Sequence, residues 1–117
     1  MRRILGLAPL GALVLLAWTG GPSSAQDKPA SAPPDAARIG RGRDLFASSG
    51  CGSCHTLADA GATGQVGPPL DGDANLTRAL VVDRVTNGSG PMPSFGSQMT
   101  PDDIAAVAAY VVHAAAR

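Results

Sequence analysis

The chain has 117 residues, a formal net charge of zero, four aromatic side chains and two cysteines. That length admits at most one small domain. The neutral balance gives no sign of a nucleic-acid partner, so none is expected.

Residues 1–25 read as a secretory signal peptide. Arg2 and Arg3 form a charged start, Ile4 to Trp18 an apolar stretch, and Ser23-Ser24-Ala25 the small residues that a signal peptidase reads. The apolar run is shorter than the roughly 18–20 residues a spanning helix needs, so cleavage is expected; an uncleaved membrane anchor is the alternative. No cysteine occurs before Cys51, which leaves no site for a lipid anchor. Residues 26–34, rich in Pro, Ala and Ser without apolar periodicity, read as a flexible linker. The domain is expected over residues 35–117.

A first helix is expected from Asp35, an N-cap after two prolines, to about Ser49. Ile39, Gly42, Leu45, Phe46 and Ser49 share one face. Gly42 costs such a helix about 1 kcal/mol relative to Ala, a cost that suits a point where another helix crosses closely.

Directly after this helix comes Cys51-Gly52-Ser53-Cys54-His55. A Cys-x-x-Cys-His run is the attachment sequence of a c-type haem. Two intervening residues let one turn of backbone present both sulfurs to one porphyrin edge, where each thiol adds across a vinyl group. His55 is then held beneath the ring as the proximal iron ligand. Three other readings compete. A thioredoxin-like pair needs a βαβ setting that the chain lacks. A structural zinc site needs four ligands, and no second Cys or His pair is present. A simple disulfide leaves His55 without a role.

Thr56 to Asp73 is rich in Gly and Pro and reads as a loop, ordered by wrapping one side of the haem. A second helix is expected from about Asn75 to Asn87, with Leu76, Leu80, Val81 and Val85 as its apolar set and Gly88 as its stop. The last helix has the clearest signals: Thr100 as N-cap, Pro101 at the first position, Asp102 and Asp103 in the first turn. Ile104, Val107, Ala108, Val111 and Ala115 form its buried stripe. No strand is expected.

A low-spin haem iron needs a second ligand, for which Met92, Met99 and His113 are available. Met99 precedes the Thr100 cap and can pack on Ile104 as a hydrophobic staple. His113 lies near a helix C-terminus, where imidazoles are commonly solvated or paired with the dipole. Met92 stands between Pro91 and Pro93, which brace its loop at little entropic cost. Met92 is therefore the expected ligand.

Taken together, Gly42-Arg43-Asp44-Leu45-Phe46, Cys51 to His55, Gly67-Pro68-Pro69-Leu70, Asn87 to Phe95 and Thr100 to Val111 make the chain resemble a small monohaem class I cytochrome c of bacterial type. The resemblance spans nearly all of Asp35 to Ala115. It implies an all-α fold of three to four helices wrapped around one covalent haem c. The first and last helices would cross near Gly42 and Phe46, with Tyr110 packed at the crossing. It also implies that the Pro68 carbonyl accepts from the His55 ring. Pro69 stands where this motif more usually has Asn.

The function implied is outer-sphere transfer of one electron between redox partner proteins, not enzymatic turnover, because both axial positions on iron are filled. The haem-bearing side would face the periplasm or another extracytoplasmic space, since attachment needs reduced thiols there. A monomeric diffusible carrier is expected, touching membranes only through partners or an uncleaved signal. The alternative is a tightly bound haem relay subunit of a periplasmic dehydrogenase or oxidase. Gly61, Ala62, Val66, Pro91 and Pro93 are expected to rim the haem, giving an apolar contact patch; Asp59, Asp71 and Asp73 are the acidic alternative.

Overall fold

The computed structural model describes residues 34–117. The expected signal peptide, and all of the expected linker but Pro34, lie outside these residues. Three α-helices carry the fold: α1 (Pro34–Ser48), α2 (Arg78–Asn87) and α3 (Pro101–Ala115). None of them is long and apolar enough to cross a membrane.

Local sequence explains most of the boundaries. Pro34, one residue earlier than expected, opens α1, as suits a residue with no N–H to leave unpaired. Gly50, at φ 74°, turns the chain out of α1 into a single 3-10 turn over Cys51–Ser53. The second helix starts later than Asn75, because Asp73 Oδ1 takes the Asn75 N–H (2.9 Å) in a turn of its own. Thr77 then caps α2, its hydroxyl accepting from Leu80 N at 3.1 Å. Thr100 caps α3 in the same way through Asp103 N, with Pro101 at the first helical position.

The expectation that no strand forms is corrected. β1 (Thr56–Leu57) and β2 (Ala62–Thr63) pair antiparallel, Thr56 opposite Thr63 and Leu57 opposite Ala62. Two-residue strands are too short to show any alternation. The hairpin holds because Leu57 is fully buried, Gly61 makes the left-handed turn at φ 61°, and Thr56 Oγ1 donates to Gly64 O at 2.8 Å.

The core is built on α3. Nine of its 15 residues are buried, more than the single stripe expected, because α1 and α2 both pack on it. Small alanines allow that close approach. Gly42 of α1 meets the Ala106 backbone, and a Cβ on Gly42 would lie 2.7 Å from the Tyr110 Cβ. Phe46 stacks edge-on against Tyr110 with ring centroids 5.7 Å apart. The Tyr110 hydroxyl donates to Asp59 Oδ2 at 2.8 Å, and Arg43 and Arg117 gather on the same carboxylate. Burial first, and then the Asp59 carboxylate, push the Tyr110 phenol up to about 12.

Candidate functional site

The Cys51–Ser53 turn, the loop from Val66 to Leu70, α2 and the loop around Met92 enclose a cavity of about 440 Å³. That is an ordinary size for a cofactor or small-ligand site. Cys51, Cys54, His55, Pro68 and Met92 all line it. Phe46, Leu70, Leu80, Val81, Val85 and Val107 make the rest of its wall mostly apolar.

The turn presents the motif as one unit. Cys54 N and His55 N both donate to Cys51 O, at 3.2 and 3.0 Å, so the two thiols and the imidazole move together. No disulfide joins Cys51 and Cys54. Burial, and to a lesser degree the neighbouring Cys54, raise the Cys51 thiol above its ordinary range.

His55 is oriented from behind. Its Nδ1 lies 2.8 Å from the Pro68 carbonyl oxygen. A carbonyl only accepts, so the ring carries its proton on Nδ1 and keeps an Nε2 lone pair for another partner. Gly67 lets the loop lie flat against the imidazole, since a Cβ there would come within 2.8 Å of Nδ1. Gly67 N also donates to Cys54 O at 2.8 Å, tying this loop to the cysteine turn. The Pro69 variation leaves these bonds in place, and Leu70 N donates to Thr56 O at 3.0 Å.

Met92 is held from its own backbone. Its N–H and carbonyl both bond to Ser89 at 3.0 Å, closing a small ladder whose turn uses Gly90 at φ 54°. Beyond it, Phe95 N donates to Val85 O and Gly96 N to Thr86 O. The Ser94 hydroxyl also donates to Thr86 O at 2.6 Å. The loop is thus moored to the last turn of α2.

The other two candidate ligands lie elsewhere. Met99 packs partly buried against the hydrophobic core and is not among the cavity-lining residues. His113 is exposed on α3, with its Nε2 2.8 Å from Arg117 Nη2. Of the expected rim, Val66, Pro91 and Pro93 line the cavity, whereas Gly61 and Ala62 do not. The hairpin folds Ala62 against Gly52 instead. Of the carboxylates, only Asp73 reaches the cavity wall; Asp59 is held by Tyr110, and Asp71 accepts from Ala58 N.

This donor set fits a haem: two thiols on one turn, an imidazole with a fixed tautomer, a thioether on a braced loop, and apolar walls between them. It does not suit a structural metal ion. Among the described residues no group of three or more His, Cys, Asp or Glu is placed to hold one.

Comparison with known proteins agrees. The family model described as cytochrome C oxidase, cbb3-type, subunit III matches residues 37–111. The chain is 37% identical over 87 residues to cytochrome c6 of Gloeothece citriformis, covering 71% of this chain and 77% of that protein. It is 40% identical over 91 residues to cytochrome c6 of a Picosynechococcus species, covering 68% and 75%. Among solved structures, the c-type cytochrome SorU from Sinorhizobium meliloti matches with a TM-score of 0.63 at 42% identity, over 68% of this chain and 93% of that one.

Proposed function

Given that the chain belongs to the cytochrome c family, we propose that it is an exported, diffusible one-electron carrier whose haem iron is held between His55 and Met92. As a c-type cytochrome it passes electrons between redox partners. Its prosthetic group is one haem c, bonded through Cys51 and Cys54. When bound, the haem supplies reversible one-electron chemistry at iron.

The rest is done by the chain. His55 would hold the iron through Nε2, because the Pro68 carbonyl keeps the ring proton on Nδ1. Met92, on the same cavity, offers a thioether, which favours the ferrous state relative to a second imidazole. If His55 and Met92 both held the iron, no position would remain for a substrate, and the mostly apolar lining would surround the group with little polar contact. The observation that carries this reading is that His55 and Met92 line one cavity while Met99 and His113 do not.

Export rests on the sequence of residues 1–25, which places Arg2-Arg3 before an apolar run and Ser-Ser-Ala at its end. Intact mass of the secreted protein tests it: the mature chain should begin near Gln26.

A second reading has one observation in its favour. The matching family model takes its description from an oxidase subunit, which suits a haem relay bound to a larger enzyme. Against it, the chain spans about three quarters of the cytochrome c6 relatives and nearly all of SorU. Co-purification with a larger oxidoreductase at fixed stoichiometry would favour the subunit.

Ligation is tested by substitution. Met92→Ala should abolish the sulfur-to-iron charge-transfer band, lower the potential and let carbon monoxide bind the ferrous iron. Met99→Leu should leave all three unchanged, as a roughly volume-conserving swap. The opposite pattern would reverse the assignment.

A further inference from the structure

The helix before Met92 ends on carbonyls that the chain beyond Met92 returns to bond. Arg84 O accepts from Gly88 N at 2.8 Å, Val85 O from Phe95 N at 2.8 Å and Thr86 O from Gly96 N at 3.2 Å. These are carbonyls that a helix end leaves without an intrahelical partner. Residues 88–96 are therefore a closed loop with Met92 at its middle. Its two limbs meet at Gly88, where an added Cβ would lie 2.6 Å from Met92 O and 3.0 Å from Ser94 N.

The returning limb has a gap in its backbone bonds to α2. Pro93 has no N–H to give, and the first backbone N–H after Met92 to reach α2 is that of Phe95. Among the described residues, one side chain ties that gap to the helix. The Ser94 hydroxyl, two residues from Met92, donates to Thr86 O at 2.6 Å. We infer that Ser94 is a positioning residue for Met92: its hydroxyl keeps the loop closed and so sets how rarely the thioether leaves the cavity.

The bond is exposed, so it contributes little to the fold as a whole. Its effect is local. Loops open separately from the rest of a domain and at lower free energy. A competing ligand binds only the open fraction, and its apparent affinity follows that fraction. Without the Ser94 hydroxyl, Thr86 O keeps its bond from Gly96 N, so no orphaned carbonyl obscures the result. The inference rests on the reading of Met92 as the second iron ligand.

The test uses holoprotein of the wild type, Ser94→Ala, Ser94→Thr and Tyr110→Phe. The sulfur-to-iron band and the urea midpoint are measured first, and the ferric proteins are then titrated with imidazole. Ser94→Ala should keep the band but bind imidazole about three- to tenfold more tightly, the span expected for one such hydrogen bond. Ser94→Thr, which retains a hydroxyl, should stay within about twofold of the wild type. Tyr110→Phe loses a bond on the far side of α3, so its urea midpoint should fall while its imidazole affinity does not move. A wild-type band with an unchanged affinity in Ser94→Ala overturns this inference and leaves Met92 ligation standing. Tightening of the same size in Ser94→Thr or Tyr110→Phe overturns it too, since general loosening would then be the cause. A wild-type protein without the band would sink the Met92 reading and this inference with it.

Discussion

Gly42 of α1 lies so close beneath α3 that a Cβ on it would stand 2.7 Å from the Tyr110 Cβ and collide with the Ala106 carbonyl. Two helical glycines two residues apart therefore have opposite roles. At Gly40 an added Cβ meets nothing within 4 Å.

The pair makes a sharp prediction. Gly40→Ala should stabilise the protein by up to about 1 kcal/mol through helix propensity alone. Gly42→Ala gains the same propensity but overpacks a helix crossing, at a cost of about 1–3 kcal/mol or more, so its net effect should be a loss. Urea midpoints of the two holoproteins decide it. A stabilised Gly42→Ala would mean that the helices part at little cost.

Tyr110→Phe keeps the edge-on contact with Phe46 but removes the bond to Asp59. A loss of about 1–2 kcal/mol is expected at neutral pH, since the acceptor is charged but only partly buried. The phenol's folded-state value of about 12 lies above the ordinary 10.0, so the native state holds that proton more tightly than the unfolded chain does. Its contribution is complete below about pH 10 and fades as the pH rises toward 12. The stability gap between wild type and Tyr110→Phe should therefore stay level up to about pH 10 and close above it. A gap that widens in that window contradicts the assignment.

Haem attachment should decide whether the chain folds at all. Without haem the mostly apolar walls around a cavity of about 440 Å³ would face water and not the cofactor, and a chain this short has little other core to offset that. Cys51→Ala combined with Cys54→Ala, expressed with the attachment machinery, should yield a chain with little helical signal in far-ultraviolet circular dichroism. Native helicity without haem would show that α1 and α3 alone sustain the fold.

Much of this architecture was legible in the sequence, because its signals are local. Thr100-Pro101 and Gly50 set helix ends within a turn of themselves, and Cys51 to His55 declares its chemistry in five residues. Gly42 was readable as a crossing point because a glycine on an apolar helix face has few other uses. What escaped is long-range or too short for periodicity. The β1–β2 hairpin has two residues per strand, so no alternation exists to read. Asp73 and Asn75 form their own turn, which delays α2 past its expected start. The bond between Tyr110 and Asp59, 51 residues apart, has no local trace.

The surface around the cavity mouth predicts how the protein meets its partners. Many small redox proteins are steered by a ring of lysines, and their rates then fall steeply with salt. Here the single lysine, Lys28, is remote in sequence from the cavity motifs. Arg41 is engaged by Asp103, and Arg43 and Arg117 lie on Asp59. Asp59 and Asp71 are likewise engaged within the fold. What faces outward at the cavity is Val66, 65% exposed, with exposed Pro68, Pro91 and Pro93 beside it. Arg84 and Asp73 are the charged residues of that lining and oppose one another in sign. A weakly charged, apolar contact should give electron exchange that changes less than about threefold between roughly 10 and 150 mM salt, a range over which the Debye length falls from about 30 to about 8 Å. Stopped-flow reduction by the native donor measures it. Val66→Asp should slow the reaction more than the whole salt series does. A wild-type rate that drops tenfold across the series would point instead to steering by charges beyond this patch.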